Sequence, residues 1–227
     1  MTIIVHSSDA VTLVGGGQLR VQDLTIALSL APSLVAADGG ADHLLTENLQ
    51  PQAVIGDMDS ISAAAAAAFA GVLHPVTEQL TTDFDKALRH IAAPLIIAVG
   101  VTGGRFDHEL AVLHTLLRHP DRLCVVLGPD SLLFLCPPDL TLNLPLGLPF
   151  SLFPLGLVRC ASAGLRWPTD QLLFSPVALI GTSNEVTGPV NVRPDAPAML
   201  VILPAATLTE VVKALRALPA TWPARAG

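Results

Sequence analysis

Short apolar runs alternate with amphipathic segments along the chain up to about Cys136. Each run has the length of one buried strand, and the segments between the runs have the spacing of helices. The predicted strands are residues 10–14, 34–37, 53–55, 95–99 and 123–127. The predicted helices lie near residues 21–30, 41–48, 62–70, 82–91 and 107–118. This alternation predicts a mostly parallel sheet flanked by helices.

The pattern changes after Pro137 and Pro138. Residues 140–144 alternate with a period of two, and short apolar pieces follow that are separated by glycine and proline. Such a pattern predicts an all-β sandwich, here followed by a final helix at residues 208–217. We therefore predict an α/β domain over residues 1–137 and a smaller β-sandwich domain over residues 138–227.

Composition narrows the class of protein. The 227 residues are 51% hydrophobic, but no run has the roughly 20 uninterrupted apolar residues of a membrane span. The net charge of −7 argues against a nucleic-acid partner, which usually needs a basic face. The amino end lacks the basic start and apolar core of a secretory signal, so a cytoplasmic location is expected. Cys124, Cys136 and Cys160 lack metal-ligand spacing and are expected to be buried reduced thiols.

Acidic residues follow two of the predicted strands. Asp38 stands between an apolar strand and two glycines, and Asp57 and Asp59 follow the next strand at positions i and i+2. In extended backbone that spacing points both carboxylates the same way, where a hard cation such as Mg²⁺ relieves their repulsion. The alternative readings are a solvated acidic turn at Asp57 and a plain turn with a capping aspartate at Asp38.

Two further segments combine acidic and basic residues at predicted helix starts. Thr82 is a candidate N-cap, and Asp83 and Lys86 are spaced to share one helix face. Arg105 follows two glycines, which let a phosphate approach the loop, and a guanidinium suits phosphate oxygens. Taken alone, each segment is equally consistent with ordinary surface pairs. Together the motifs lie at the strand ends where α/β proteins bind ligands, which favours a metal–polyphosphate site.

The motifs together resemble the thiamine pyrophosphokinase family, over nearly the whole chain. The family's Asp-Gly-Gly, Gly-Asp-x-Asp-Ser, Thr-Asp-x-x-Lys-Ala-Leu and Gly-Gly-Arg-x-Asp-His segments occur in the family's order, at residues 38–40, 56–60, 82–88 and 103–108. Segments similar to the family's thiamine-binding segments stand at residues 164–167 and 181–185. The resemblance implies transfer of the diphosphoryl group of ATP to the hydroxyl of thiamine, releasing AMP, with Mg²⁺ as cofactor.

The resemblance also implies roles for individual residues. The metal would be held by Asp57, Asp59 and Asp83. The catalytic set would add Lys86 and Arg105 at phosphate oxygens, and Asp107. Nucleotide or cofactor contacts would come from Asp38, Gly39, Thr82, Lys86, Arg105, Asp107 and His108. Thiamine contacts would come from Trp167, Ser183 and Asn184. An aromatic face attracts a cationic ring, which supports Trp167 independently, although a place in the β-domain core is an equal alternative.

The family resemblance further implies a homodimer, with thiamine bound where the α/β domain of one subunit meets the β domain of the other. The chain departs from the family pattern at Leu80, where an aspartate is usual, and at Val112, where an asparagine is usual. Glu78 is a candidate replacement for the missing acid. The alternative functions are the same transfer to another alcohol, such as a hydroxymethylpterin, and a non-catalytic thiamine or nucleotide sensor. The identity of the general base stays open.

Overall fold

The computed structural model of the chain describes residues 2–225, and it contains both helices and strands. The predicted mixed α/β class is therefore confirmed. Two compact units are present: the first comprises the chain up to Thr115 with Val126–Pro129, and the second comprises Leu116–Val125 and the chain from Asp130 onward. The residue ranges of the two units alternate along the sequence, whereas the predicted domain boundary lies between residues 137 and 138. A functional division at that position stays a prediction.

The first unit alternates strands and helices. In chain order they are β1 (Val5–His6), β2 (Val11–Val14), α1 (Val21–Leu30), β3 (Ser33–Ala37), α2 (Gly40–Thr46), β4 (Ala53–Gly56), α3 (Ala63–Ala68), β5 (Leu73–Pro75), α4 (Asp83–His90), β6 (Ile91–Ala92) and β7 (Ile96–Val99). Two further elements, α5 (Phe106–Arg118) and β8 (Cys124–Leu127), contribute residues to both units. Every element predicted for this half of the chain is present, with ends within two residues of those expected.

The central strands of the first unit run parallel in the order β7–β2–β3–β4–β5. Helix α1 packs against β2 and β7, and α4 packs against β3 and β4. Strands β2, β4 and β7 are buried along their whole length, which explains why they read as continuous apolar runs. Because β3 to β5 extend the sheet to one side of β2 and β7 lies on its other side, the strand order reverses between β2 and β7. Ligands of open α/β sheets bind at such a point.

The second unit is antiparallel. Its elements are β9 (Ser131–Leu135), β10 (Leu140–Leu142), β11 (Pro149–Pro154), β12 (Val158–Leu165), β13 (Leu173–Phe174), β14 (Thr182–Pro194), β15 (Met199–Pro204) and α6 (Leu208–Arg216). The strand order is β13–β12–β14–β11–β15–β9, and β10 also pairs with β14. The long strand β14 pairs with β11 through residues 182–185 and with β10 through residues 190–192. All its buried residues lie an even number of positions apart, as expected of a strand with one core face.

Several short or mixed strands were not predicted. Strands β1, β5 and β6 have two or three residues, which is too short for a recognisable pattern. Strand β12 contains Arg159, Ser162 and Gly164 among its apolar residues and therefore lacks an apolar run. All three cysteines are free and buried, as predicted, and burial raises the pKa of their thiols. Within residues 2–225, no helix has the length and apolarity needed to cross a membrane.

A substitution in the first turn of α2 tests how closely the loops at the strand ends pack. A Cβ atom added to Gly40 would lie 2.0 Å from the carbonyl oxygen of Val14, which belongs to the backbone and cannot rotate away. Gly71 offers a matched control, because a Cβ there meets nothing within 4 Å. We expect Gly40→Ala to lower the free energy of unfolding by about 3 kcal/mol, and Gly71→Ala by less than about 0.5 kcal/mol. Urea unfolding of both variants measures the difference, and equal losses would contradict the packing described.

Candidate active site

Two acidic loops leave the same edge of the parallel sheet. Ala37 at the end of β3 pairs in register with Ile55 of β4, and the N–H of Asp38 donates to the carbonyl of Ile55 at 3.0 Å. Asp57 follows directly after β4. Because parallel strands end on one side of the sheet, both loops carry their carboxylates to the same place. The carboxyl ends of β3 and β4 therefore form one acidic site.

The backbone of this site adopts sparsely populated conformations. Asp38 has a φ of 39° and Met58 has a φ of 67°, which places both in the left-handed region. Such conformations cost free energy and persist where the surrounding structure enforces them, which is common at ligand sites. The turn at Met58 lies between Asp57 and Asp59, and the turn at Asp38 opens onto Gly39. Gly39 in turn packs against Ser60, whose carbonyl oxygen would lie 3.3 Å from a Cβ at position 39.

Three carboxylates converge at the strand ends. Asp38, Asp57 and Asp59 each offer one oxygen, and these oxygens lie within 4.8 Å of one another. The side chain of Asp38 is buried, and its Oδ2 accepts a hydrogen bond from the N–H of Ser60 at 3.2 Å. Its other oxygen, Oδ1, is buried without a hydrogen-bond partner in the part of the chain described. A buried acceptor with no donor, next to two more carboxylates, suits a hard divalent cation such as Mg²⁺.

Asp83 and Lys86 on helix α4 complete the acidic site. Thr82 caps this helix, as predicted, by accepting a hydrogen bond from the N–H of Asp85 at 3.3 Å. Lys86 is only 1% exposed, and its Nζ lies 2.8 Å from Asp57 Oδ2 and 3.0 Å from Asp83 Oδ1. Asp83 Oδ1 also accepts from the N–H of Asp57 at 3.2 Å. Asp57, Asp59 and Asp83 therefore meet in one place, two of them through the same buried ammonium.

The charges of the site shift one another's proton affinities. Burial raises the pKa of Asp38 to about 6, and the nearby charges of Asp83, Asp57 and Asp59 act in the same direction. The hydrogen bond from Lys86 lowers the pKa of Asp57. Burial alone would lower the pKa of Lys86, but its bonds to Asp57 and Asp83 outweigh burial and raise it. The site therefore keeps Lys86 charged while it leaves Asp38 without a compensating cation.

The loop before α4 contributes a residue that the sequence did not indicate. Gln79 donates from Nε2 to Asp57 Oδ2 at 3.1 Å, although nothing in the surrounding pattern marks it as a site residue. The neighbouring Glu78 accepts from Arg89 Nη2 at 2.8 Å and from the N–H of Leu80 at 2.8 Å. The carboxylate of Glu78 thus holds its own loop and does not join the acidic cluster. Leu80 is 94% exposed.

Glycine-rich loops meet where the strand order reverses. The N–H of Gly17, in the loop after β2, donates to the carbonyl of Gly100, in the loop after β7, at 2.6 Å. A Cβ at Gly15 or Gly17 would lie 2.7 or 2.8 Å from that carbonyl, so larger residues do not fit. The Nε2 of His43 on α2 lies 2.8 Å from the carbonyl oxygen of Gly17. The contact of His43 with this loop depends on the strand order, so its local sequence does not indicate it.

Arg105, Asp107 and His108 lie together at the start of α5. Arg105 Nη2 is 2.6 Å from Asp107 Oδ2, and the exposed pair lowers the pKa of Asp107 and raises that of Arg105. The N–H of His108 donates to Asp107 Oδ1 at 3.1 Å. In this structure Arg105 therefore binds its neighbour on α5, and the structure does not join this group to the carboxylate cluster by a direct contact. Val112, one of the family departures, is buried in the same helix.

The predicted thiamine residues of the second unit adopt three different environments. Trp167 is 52% exposed, so it is not part of the β core. Ser183 is exposed on β14. Asn184 is buried, and its side chain hydrogen-bonds to the main chain of Trp167. Trp222, near the carboxyl end, donates from its indole N–H to the carbonyl of Cys136 at 2.8 Å, in keeping with a packing role.

The fold and the site define a mixed α/β protein with a carboxylate cluster at the ends of parallel strands, of the kind that binds a divalent cation with a polyphosphate. Comparisons with known proteins point to one family. The family "Thiamin pyrophosphokinase, catalytic domain" matches residues 24–127, which include the acidic segments and the glycine loop after β7 but not the glycine loop after β2. Thiamine pyrophosphokinase 1 of Arabidopsis thaliana is 30% identical over 187 residues, covering 67% of this chain and 70% of that protein. The chain belongs to the thiamine pyrophosphokinase family.

Solved structures support the same fold. Thiamin pyrophosphokinase from Geobacillus thermodenitrificans superposes with a TM-score of 0.70 at 23% identity, over 86% of this chain and 96% of that one. The yeast thiamin pyrophosphokinase gives a TM-score of 0.71 at 17% identity, over 94% of each chain. At these identities the superpositions show a shared fold.

The raised pKa of Asp38 has a consequence for stability. Since the folded pKa of about 6 exceeds the ordinary value of 3.8, ionising Asp38 costs more in the folded state, and this group's contribution to stability is lost as pH rises from about 4 through 6. Asparagine also tolerates a positive φ, so Asp38→Asn keeps the backbone conformation. We expect the metal-free variant to exceed wild type in unfolding free energy by about 2 kcal/mol at neutral pH, and by little near pH 4.

Urea unfolding in EDTA at both pH values measures this gap, with the exposed Asp9→Asn as control. A gap that does not widen with pH would contradict the electrostatic origin. Added Mg²⁺ should stabilise wild type more than Asp38→Asn, because the variant loses one carboxylate of the cluster.

Proposed function

We propose that this chain transfers the diphosphoryl group of ATP to the hydroxyl of thiamine, giving thiamine diphosphate and AMP. One observation carries the proposal: carboxylates from the ends of β3 and β4 and from α4 converge in one site, where two of them bind the buried ammonium of Lys86. A structural role alone does not require so many acids in one place, because like charges repel. A metal ion bound together with a polyphosphate would bring the positive charge that offsets this repulsion.

The donor set fits Mg²⁺. Asp38, Asp57 and Asp59 would hold the ion, and Asp83 lies next to them through its bonds to the N–H of Asp57 and to Lys86. When bound there, the ion would supply positive charge that offsets the charge of phosphoryl oxygens. The buried Oδ1 of Asp38, which has no hydrogen-bond partner within the described residues, supports this placement.

The other residues of the site would position the polyphosphate. The thiamine oxygen attacks the β-phosphorus in line, the bond from that phosphorus to the α-phosphate oxygen breaks, and AMP leaves while the hydroxyl proton is lost. Charge in this reaction spreads over phosphoryl oxygens, so fixed positive groups and N–H donors lower the barrier. Lys86 is already charged and is held by Asp57 and Asp83, and Arg105 would leave Asp107 to contact phosphate oxygens. The glycine loops after β2 and β7 would let phosphates approach the backbone.

We further propose that the second unit, folded as a β-sandwich, binds thiamine. Trp167 is half-exposed, and its ring already faces a cation, since the guanidinium carbon of Arg166 lies 5.2 Å from the ring centroid. The cationic ring of thiamine suits the same kind of surface. The division of strand β14 between β11 and β10 supports a sandwich, because one strand then serves two layers. Ser183, exposed on β14, is a further proposed contact.

The family resemblance also leads us to propose a cytoplasmic homodimer whose site combines residues of two subunits. Asp59→Asn and Trp167→Ala place one defect in each unit of the chain. If both units of one site come from the same subunit, a mixture of the two variants stays as impaired as its components. Partial recovery of activity after mixing, together with a dimeric mass in solution, would support the shared site.

Removing single carboxylates tests the metal assignment. We expect Asp59→Asn and Asp83→Asn each to lower kcat by at least about 100-fold, because Asp59 would hold the metal ion and Asp83 holds Lys86, and these two cations would offset the charge on the phosphoryl oxygens. Asp9→Asn, an exposed acid outside the site, should retain wild-type turnover. Rates of AMP release and melting temperatures are compared for all three variants. Near-normal turnover in both site variants would refute the assignment.

The identity of the acceptor is tested directly. We expect purified protein with ATP and Mg²⁺ to release AMP when thiamine is added, and to form thiamine diphosphate in equal amount. AMP release with a hydroxymethylpterin but not with thiamine would assign the chemistry to another alcohol. Tight binding of thiamine without any AMP release would instead favour a sensor.

A further inference from the structure

The side chain of Asn184 is hydrogen-bonded to the main chain of Trp167. Its Nδ2 donates to the carbonyl oxygen of Trp167 at 2.7 Å, and its Oδ1 accepts from the N–H of Trp167 at 3.1 Å. The same Oδ1 accepts from the N–H of Glu185 at 2.9 Å. Asn184 is 3% exposed, and these bonds occupy three of the four that a side-chain amide usually makes. The amide therefore faces the protein interior and not a ligand.

A bulge in β12 brings Trp167 opposite Asn184. The register between β12 and β14 shifts between Ala163 and Leu165, and Gly164 at the shift has a φ of 74°. A Cβ at Gly164 would lie 2.1 Å from the carbonyl oxygen of Pro189, so this position requires glycine. After the bulge Leu165 pairs with Val186, and the chain continues along β14 into Trp167. Bulges of this kind redirect the side chains that follow them.

The chain beyond Trp167 is fixed as well. Thr169 is fully buried, its N–H donates to Ser162 Oγ at 3.1 Å, and its hydroxyl donates to the carbonyl of Cys160. The main chain is thus held at Trp167 by β14 and at Thr169 by β12. The indole ring remains half-exposed between these two attachments. Because its main chain is fixed, the exposed ring offers a contact surface whose position is defined before a ligand binds.

Arg166 stabilises one face of this ring. Its guanidinium carbon lies 5.2 Å from the centroid of the Trp167 ring, and its Nη1 lies 3.4 Å from Glu185 Oε2. The N–H of Arg166 also donates to the carbonyl of Glu185 at 2.9 Å. The ring therefore has a neighbour on one side and solvent exposure elsewhere.

We propose that Asn184 is a positioning residue, which holds the main chain of Trp167 so that the ring is preset for the cationic ring of the acceptor, and that Asn184 does not itself contact the acceptor. This inference rests on the proposed function. Ordering a mobile side chain on binding costs free energy, and a ring that is already fixed avoids that cost. The effect of Asn184 should therefore appear in the KM for thiamine and depend on the presence of the Trp167 ring.

A double-mutant cycle separates positioning from direct contact. We expect Asn184→Ala to raise the KM for thiamine by about tenfold and to change kcat less, since a cation–π contact contributes about this much to binding. In a Trp167→Ala background, where the main chain remains but the ring is gone, Asn184→Ala should raise KM no further. Equal effects in both backgrounds would show that Asn184 contacts thiamine directly and would overturn the proposal.

Asn191→Ala is the matched control. Asn191 lies on the same strand, and its side chain donates to Asp139, Thr141 and the carbonyl of Leu140, away from Trp167. Its removal should lower the melting temperature without raising the KM for thiamine. If Asn191→Ala raises KM as much as Asn184→Ala does, the effect is general loosening of the unit and the proposal is wrong. Should Asn184→Ala not fold, Asn184→Asp, which keeps both accepted bonds, takes its place in the cycle.

A second readout does not require activity. Trp222→Phe leaves Trp167 as the one tryptophan in the chain. In that background Asn184→Ala should lower the fluorescence anisotropy of Trp167 and increase its quenching by acrylamide, whereas Asn191→Ala should change neither. Unchanged Trp167 fluorescence in the Asn184 variant would overturn the positioning role. A wild-type protein that forms no AMP with thiamine would instead overturn the proposed function, so the two failures are distinguishable.

Discussion

The ammonium of Lys86 lies almost wholly buried between the carboxylates of Asp57 and Asp83, with Asp38 and Asp59 close by. One positive charge does not balance this many acids, and burial together with the neighbouring acids raises the pKa of Asp38. The rest of the first unit keeps these groups together against their repulsion. This imbalance of charge supports the proposal that the site binds a divalent cation together with a polyphosphate.

The parallel sheet provides the constraint that holds the acids in place. Strands β3 and β4 end on one edge, and α4 packs across both of them, so residues far apart in the chain meet without any local signal. The positive φ angles at Asp38 and Met58 are enforced by this frame. The glycine loops after β2 and β7 meet on the same principle, beside the point where the strand order reverses. Membership of the thiamine pyrophosphokinase family agrees with this architecture.

In the second unit the main-chain path positions the exposed ring of Trp167, whereas the site in the first unit is built from charged side chains. Gly164 permits the bulge in β12, the bulge places Trp167 beside β14, and Asn184 fixes it there. The exposure of Trp167 therefore results from a specific main-chain path. This explains why Asn184 and Ser183, adjacent in one motif, have opposite environments, since successive residues of a strand point to opposite faces.

The α/β class could be predicted from the sequence, as could most helices and strands of the first half, the cap at Thr82 and the acidic segments, because each depends on a local pattern. Which groups become partners depends instead on the tertiary structure. The bonds from Lys86 and Gln79 to Asp57 span 29 and 22 residues. The local pattern indicated Lys86 but not its bond to Asp57, and it did not indicate Gln79. Such contacts depend on strand order and loop path, and these are set by the packing of the whole chain.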